Sequence, residues 1–146
     1  MKIEEFSIEF YDEIVQLWRD AGISVGSSDS KEEIQKMVTK NPELFLIGRL
    51  KGKIIAVVMG GFDGRRGYVH HLAVHPDYQK KGNGKKIMEK LIEIFLQKGV
   101  HKVHLFIEKS NKDVVSFYKN LGWERRKDLT MMSFVPDEKL YKRKLD

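Results

Sequence analysis

The sequence predicts one α/β (α+β) domain, built on a mixed, mostly antiparallel sheet of six to seven strands with helices on both faces. The length of 146 residues fits one domain and leaves no room for two of ordinary size. Hydrophobic residues make up 41% and charged residues 33%, which is a globular composition. Apolar residues recur first with helical spacing, then with strand spacing, then with helical spacing again. Consecutive strands in the middle of the chain predict hairpins, and the helix between the later strands predicts a β-α-β crossover.

The N-terminal third predicts one edge strand and two helices. The strand lies around Ile3. Ser7 is the predicted N-cap of the first helix, which ends at Gly22. Its apolar residues have helical spacing: Ile8, Tyr11, Ile14, Val15, Trp18 and Ala21. The second helix covers 31–40 and ends before Pro42, since a residue that precedes proline disfavours helix.

The middle of the chain predicts three strands followed by a long helix. Strands at 44–50 and 54–59 are joined by a tight turn at Lys51-Gly52. A third strand covers 68–74 and ends before Pro76. The helix that follows is amphipathic, with a broad apolar stripe of Ile87, Met88, Leu91, Ile94 and Phe95.

The last third predicts three strands and one helix. The segment 103–107 leans apolar throughout, as expected for a buried central strand. A helix opens at Asn111 or Asp113. Two further strands are predicted at 123–126 and 131–135. The tail after residue 137 is polar and is expected to fray, within a single domain that spans 1–146.

Composition excludes several classes of protein. The chain has no cysteine, which excludes disulfide scaffolds, thiolate metal sites and cysteine nucleophiles, and predicts a cytoplasmic location. No run approaches the roughly 18 apolar residues of a membrane span, so no membrane partner is expected. Lys and Arg number 27 against 21 Asp and Glu, a net charge of +6 that favours an anionic partner such as nucleic acid or a phosphorylated cofactor.

The segment between the third strand and the long helix carries the clearest chemical signal. Amide groups at a helix N-terminus bind anions, and glycines such as Gly82 and Gly84 let a phosphate approach the backbone. Each cation there costs about 0.3–1 kcal/mol against the helix dipole, so a cluster of them predicts a bound anion. The cluster consists of Lys80, Lys81, Lys85 and Lys86. A Walker loop is disfavoured because no Ser or Thr follows Lys85.

The segment Gln79-Lys80-Lys81-Gly82-Asn83-Gly84 resembles the Gln/Arg-x-x-Gly-x-Gly/Ala pyrophosphate loop of the GCN5-related N-acetyltransferase (GNAT) family. Residues 72–76 are similar to that family's strand before the loop, and Asn111 with 116–123 resembles its second motif. The order of elements also matches over nearly the whole chain. The resemblance implies an acyl-CoA N-acyltransferase-like fold, with acetyl-CoA as co-substrate and direct attack by a primary amine in a ternary complex.

The resemblance also implies roles for individual residues. Main-chain groups of Leu72, Ala73 and Val74 would pair with the pantetheine arm, and one amide would polarise the acetyl carbonyl. Asn111 would bind the pantetheine, and Tyr118 would protonate the departing thiolate. The loop around the pyrophosphate would be Gln79, Lys80, Lys81, Gly82, Asn83, Gly84 and Lys85. The residues alone also fit a packed core tyrosine and a helix N-cap asparagine.

The attacking amine needs a proton acceptor, and histidine suits this near neutral pH. Strand alternation predicts opposite faces for His70 and His71, with His70 beside Leu72 and, without a bulge, Val74. His70 matches a histidine invoked as base in arylalkylamine members of the family. Members that acetylate ribosomal-protein N-termini carry a glutamate where this chain has Phe106. The candidates for the base are His70 first, then His71, Glu108 and water.

For the acceptor amine, the sequence predicts the segments that form its binding site but not its chemical identity. Its walls are the loop 22–30 with the second helix, and the hairpin 62–67. These walls carry both signs of charge, so the acceptor amine stays open: Asp29, Glu32, Glu33, Asp63, Arg65 and Arg66.

Two other classes of function remain as alternatives: a basic nucleic-acid-binding module, and a coenzyme-A-binding domain without catalysis. Known nucleic-acid-binding signatures are absent from the sequence, so no specific nucleic acid is expected. The pairs His70/His71 and His101/His104 lack clustered acids, so no metal is predicted. A monomer and a homodimer both fit the sequence.

Overall fold

The computed structural model describes residues 1–144, and a five-stranded sheet lies at its centre. The strands stand in chain order: β1 (Lys2–Glu5), β2 (Phe45–Leu50), β3 (Lys53–Phe62), β4 (Gly67–Val74) and β5 (Val103–Leu105). Neighbouring strands are antiparallel except for β4 and β5, which are parallel. The prediction of a mixed, mostly antiparallel sheet is confirmed.

Four helices cover the two faces of the sheet, as predicted: α1 (Tyr11–Asp20), α2 (Lys31–Lys40), α3 (Asn83–Gln97) and α4 (Lys112–Asn120). One core lies under α1 and α2 and contains the fully buried Trp18. The other lies under α3 and α4 and contains Leu91 and Phe95. Burying each such side chain contributes about 1.5–3 kcal/mol relative to exposure. Every helix within residues 1–144 is too short or too polar to cross a membrane.

Local signals fix most element boundaries. Lys51 and Gly52 have φ of 51° and 79°, the left-handed conformation that a two-residue hairpin turn requires. The Ser30 side chain accepts the N–H of Glu33 at 3.3 Å, and α2 begins directly after Ser30. Ser7 does not cap α1, because a short 3-10 helix precedes that helix and the Ser7 side chain makes no capping bond.

The prediction of six to seven strands is wrong for the described residues, in which the segments 123–126 and 131–135 form no strand. Arg126 binds Asp128 through two side-chain hydrogen bonds of 3.0 and 2.8 Å, next to a bend at 127–128. The apolar side chains that follow are exposed: Leu129, Met131, Met132 and Phe134. As a result β5 is a half-buried edge strand, and the predicted buried central strand at 103–107 is also wrong.

A β-bulge interrupts β4 in the middle of the sheet. Val57 pairs with Ala73 and Met59 pairs with His70, so Val58 alone opposes two residues, His71 and Leu72. The extra residue breaks the alternation of side chains between the two faces. The consequence for the histidines is described below.

The strands β4 and β5 separate soon after they pair. Their ladder joins Gly67–Val69 to Val103–Leu105. Beyond Val69, β4 stays paired with β3 on one edge, but its other edge has no strand partner within residues 1–144. Backbone groups at the C-terminal end of β4 are therefore open to an extended ligand.

Candidate active site

The loop between β4 and α3 forms a concavity suited to an anion. A short 3-10 helix (Pro76–Tyr78) follows β4, and α3 begins at Asn83. Lys80 and Gly82 both have left-handed backbone, with φ of 59° and 85°. Left-handed residues turn successive amides to one side, and the first amides of a helix have no partner within it. The loop thus presents N–H groups at the positive end of α3.

Two side chains fasten this loop to its neighbours. Gln79 donates its amide N–H to the Val74 carbonyl at 2.8 Å. Asn83 is buried and donates to the Tyr78 carbonyl at 2.9 Å. The two predicted loop side chains therefore hold the backbone in shape, while the lysines of the cluster remain exposed.

Lys85→Glu is expected to weaken coenzyme A binding by about tenfold or more, because it reverses a charge beside the anion loop. Its melting temperature should hold or rise, since a carboxylate at a helix N-terminus stabilises by about 0.3–1 kcal/mol. Titration calorimetry and thermal unfolding measure the two quantities.

The matched control is Lys90→Glu, the same charge change further along α3. Lys85 and Lys90 are both exposed and form similar ion pairs with Glu89 and Glu93, at 3.8 and 3.6 Å. Equal losses of affinity in the two variants would show that net charge, and not this loop, attracts the cofactor.

The end of β4, the start of α3 and the middle of α4 meet at one point. A Cβ atom placed on Gly84 would lie 3.3 Å from the Phe117 ring and 3.6 Å from Val74. The strand, loop and helix motifs, which are separated in the sequence, are thus brought into contact.

Tyr118 and Asn111, the two motif residues of α4, differ in environment. Tyr118 is 7% exposed and packs edge-on against Phe117 and Trp123. Burial raises the pKa of its hydroxyl, so the group stays neutral and able to donate a hydrogen bond at every physiological pH. Asn111 occupies the N-cap position directly before α4, as the sequence predicts, but it is exposed and its side chain makes no capping bond.

A cleft of about 600 Å³ opens on the face of the sheet covered by α1 and α2. Its lining includes Asp29, Glu33, Met59, His70, His71 and Glu108. The predicted placement of the two histidines on opposite faces is wrong, because the bulge turns His71, with φ of 48°, to the side of His70. Leu72 and Val74 pack on the α3 side, so His70 shares its face with neither.

A buried carboxylate contacts one of these histidines. Asp29 is 7% exposed, accepts the Gly26 N–H at 2.9 Å and lies 2.8 Å from His71 Nε2. Burial alone would raise the Asp29 pKa, but the hydrogen bonds from His71 and Gly26 outweigh it, and the pKa lies below its ordinary value. The carboxylate is therefore ionised at neutral pH. From the sequence, Asp29 is predicted only as one of several acids in the acceptor wall. No local pattern links it to His71, which lies 42 positions away in the chain.

His70 has the properties of a neutral base. Burial lowers its pKa, the neighbouring His71 lowers it further, and the Asp29 charge opposes both effects. Its ring stacks on Tyr68, with centroids 6.4 Å apart. An imidazole with a lowered pKa is unprotonated at neutral pH and can accept a proton.

The remaining candidates, one for the base and three for the acceptor wall, lie in two separate places. Glu108 lies exposed at the rim of the cleft. In the 62–67 hairpin, Asp63 accepts the N–H groups of Arg65 and Arg66, each at 2.8 Å, and so closes its own turn. Within residues 1–144 these three hairpin residues are not part of the cleft lining.

A loop suited to an anion follows the C-terminal end of β4, and a neutral histidine lies in the middle of the same strand. Residues 11–123 match the acetyltransferase (GNAT) family, and the chain belongs to that family. It is similar to an acetyltransferase of Yersinia pestis, with 31% identity over 124 residues, covering 85% of this chain and 88% of the relative. An acetyltransferase of Sodalis glossinidius is 28% identical over 132 residues, covering 90% and 93%. The protein is an acyltransferase.

Solved structures support the fold. The PaiA N-acetyltransferase of Thermoplasma acidophilum, in complex with coenzyme A, matches with a TM-score of 0.73 and 21% identity, over 83% of this chain and 89% of that one. The ribosomal-protein-S18-alanine N-acetyltransferase of Escherichia coli matches with a TM-score of 0.70 and 21% identity, over 83% and 76%. At these identities the likeness concerns the fold.

Proposed function

We propose that the protein is an N-acetyltransferase that moves an acetyl group from acetyl-CoA to a primary amine by direct attack in a ternary complex. The observation that carries this proposal is the position of β4, which joins the anion loop to the acceptor cleft and has an open edge beyond Val69. Two substrates bound on either side of this strand would meet at its C-terminal half. Holding two reactants in this way lowers the entropic part of the barrier.

Coenzyme A would bind from the loop towards β4. The pyrophosphate would occupy the loop 79–85, and the pantetheine would run along the open edge of Leu72, Ala73 and Val74. The exposed amide of Asn111 would contact the pantetheine from the other side. A related fold solved with coenzyme A supports the use of an acyl-CoA, and acetyl as the group carried is part of the proposal.

The proposed reaction balances with two proton transfers. The amine nitrogen attacks the acetyl carbonyl carbon, a C–N bond forms and the C–S bond breaks. A backbone amide of β4 stabilises the carbonyl oxygen as it gains negative charge. His70 accepts the proton that the amine loses, and Tyr118 donates hydrogen to the departing sulfur.

The cleft supports a small or extended primary amine as acceptor. The similar Escherichia coli enzyme is a ribosomal-protein-S18-alanine N-acetyltransferase. This chain has Phe106 where that class of enzyme carries a glutamate, which supports a histidine base and a different acceptor. The fold and the family lend no support to the nucleic-acid-binding and non-catalytic alternatives.

Acetyl-CoA at about 100 times its dissociation constant is expected to add about 2.7 kcal/mol to the free energy of unfolding. For a chain of this size that corresponds to a rise of about 8 °C in melting temperature. ATP serves as the control, because it supplies phosphates without a pantetheine. No shift in low salt, or an equal shift with ATP, would contradict the proposal.

The acceptor is then sought by measuring thiol release from acetyl-CoA. The panel comprises polyamines, amino acids and peptides with free N-termini. Release that depends on one class of amine identifies the acceptor. A cofactor that binds with no release from any amine would support the non-catalytic alternative instead.

A further inference from the structure

The contact between Asp29 and His71 is the feature of the cleft that the proposed reaction leaves unused. We propose that Asp29 is a positioning residue of the cleft that it lines together with His70 and His71: its buried negative charge stabilises the proton on His70, and its side chain fixes the ring of His71. This inference rests on the proposed function in taking His70 as the base. The experiment below separates the two.

Hydrogen bonds hold the backbone and the carboxylate of Asp29 in place. The main-chain carbonyl of Asp29 accepts a hydrogen bond from the Tyr11 hydroxyl at 2.6 Å, which links the segment around Asp29 to α1. One carboxylate oxygen accepts the Gly26 N–H, and α2 begins directly after the Ser30 cap. The backbone on both sides of Asp29 is therefore fixed before any substrate binds, which is what a preorganised charge requires.

His71 lies at the bulge in β4 and has left-handed backbone, with φ of 48°. Left-handed backbone at a residue other than glycine costs on the order of 1 kcal/mol, and such strain tends to cluster at functional sites. The extra residue lets consecutive histidines, His70 and His71, both line the cleft, whereas regular alternation would send one of them to the α3 face. The buried ring of Trp18 packs edge-on against His71 at 5.0 Å and supports the ring from a second side.

Other charged groups face the cleft but are better placed to be screened by solvent. From α2 these are Glu33, Lys36 and Lys40, and from the later segments Glu108 and Arg143, with the neutral phenol of Tyr141 beside them. Glu33 and Lys36 pair at 2.7 Å and largely offset each other. Asp29 is the buried acid of this set, so its field at His70 is the least weakened by water.

The inference accounts for a need of the proposed reaction. When the amine gives up its proton, His70 becomes an imidazolium in a partly buried place where burial disfavours positive charge. An ionised carboxylate held nearby offsets that cost. Asp29 itself neither gains nor loses a proton, because its pKa lies below its ordinary value.

Titration of the histidine ring signals by NMR tests the inference on the free protein. Asp29→Asn is expected to lower the titration midpoint of His70 by about half a pH unit or more, since it removes the charge that favours the protonated form. His71→Gln is expected to raise the same midpoint, because a neighbouring histidine that opposes protonation is lost. Glu33→Gln is the matched control, an acid of the same cleft whose side chain is more exposed than that of Asp29 (42% against 10%), and is expected to leave the midpoint unchanged.

An unchanged titration midpoint of His70 in a folded Asp29→Asn protein would overturn the inference and leave Asp29 a purely structural role. A midpoint shift in Glu33→Gln as large as that in Asp29→Asn would overturn it too. If Asp29→Asn does not fold, His71→Gln decides, and a midpoint that stays or falls overturns the inference. With an acceptor in hand, the acid limb of kcat/KM should move in the same directions. Opposite midpoint shifts in a protein that releases no thiol would refute the proposed function and retain the electrostatic pair.

Discussion

Tyr118→Phe is expected to lower kcat about 100-fold, at the low end of the range for a general acid, while the affinity for acetyl-CoA changes less than about twofold. The variant removes one oxygen from a buried ring and keeps the edge-on contacts with Phe117 and Trp123. The loss falls at the low end because burial raises the pKa of the hydroxyl well above that of a thiol. The hydroxyl therefore first hydrogen-bonds to the developing thiolate, and its proton passes to the sulfur only as the C–S bond breaks.

Single-turnover measurement of thiol release separates this effect from binding. Tyr78→Phe is the control, since Tyr78 belongs to the loop and is not part of α4. It should retain nearly full turnover. If Tyr118→Phe also retained full turnover, the hydroxyl would have no part in the chemistry and Tyr118 would be a core residue alone.

His70→Gln is expected to lower kcat/KM at neutral pH by about 100-fold or more, as for loss of a general base. In the native protein the lowered pKa of His70 places the acid limb of the pH profile below 6.5, the ordinary histidine value. Activity should thus persist in mildly acidic buffer. In the variant this limb should disappear, and the rate should climb with pH as the amine itself loses its proton.

His101→Gln is the control, because His101 is exposed between α3 and β5. A profile in His70→Gln that keeps the native limb would assign the base to His71, Glu108 or water. The same pKa shift also affects stability. The folded state binds fewer protons at His70 than the unfolded state, so the free energy of unfolding should fall as the pH drops through 6.5, and His70→Gln should reduce that fall.

The local parts of the structure could be predicted well from the sequence. The extent of α2, the turn at Lys51-Gly52 and the stop of α3 before Gly99 each follow from a few neighbouring residues. The anion loop belongs to the same class, because its glycines and lysines lie within one short segment. That prediction led to the family that the match over residues 11–123 confirms.

The acceptor side depended on contacts that no local pattern records. The bulge at His71 arises from the register between β3 and β4, and it reverses the face that alternation predicts. The contact of His71 with Asp29 joins residues that are 42 positions apart in the chain. The edge position of β5 likewise depends on a C-terminal segment whose apolar residues predicted strands and which forms none.

The sequence by itself therefore determined the helices, the turns, the anion loop and the family, because these depend on backbone preferences and hydrogen bonds within a few residues. The tertiary structure alone decided that both histidines face the cleft, which carboxylate lies beside them and where the sheet ends. These features depend on how distant strands align, and a shift of one residue in that alignment sends a side chain to the other face of the sheet.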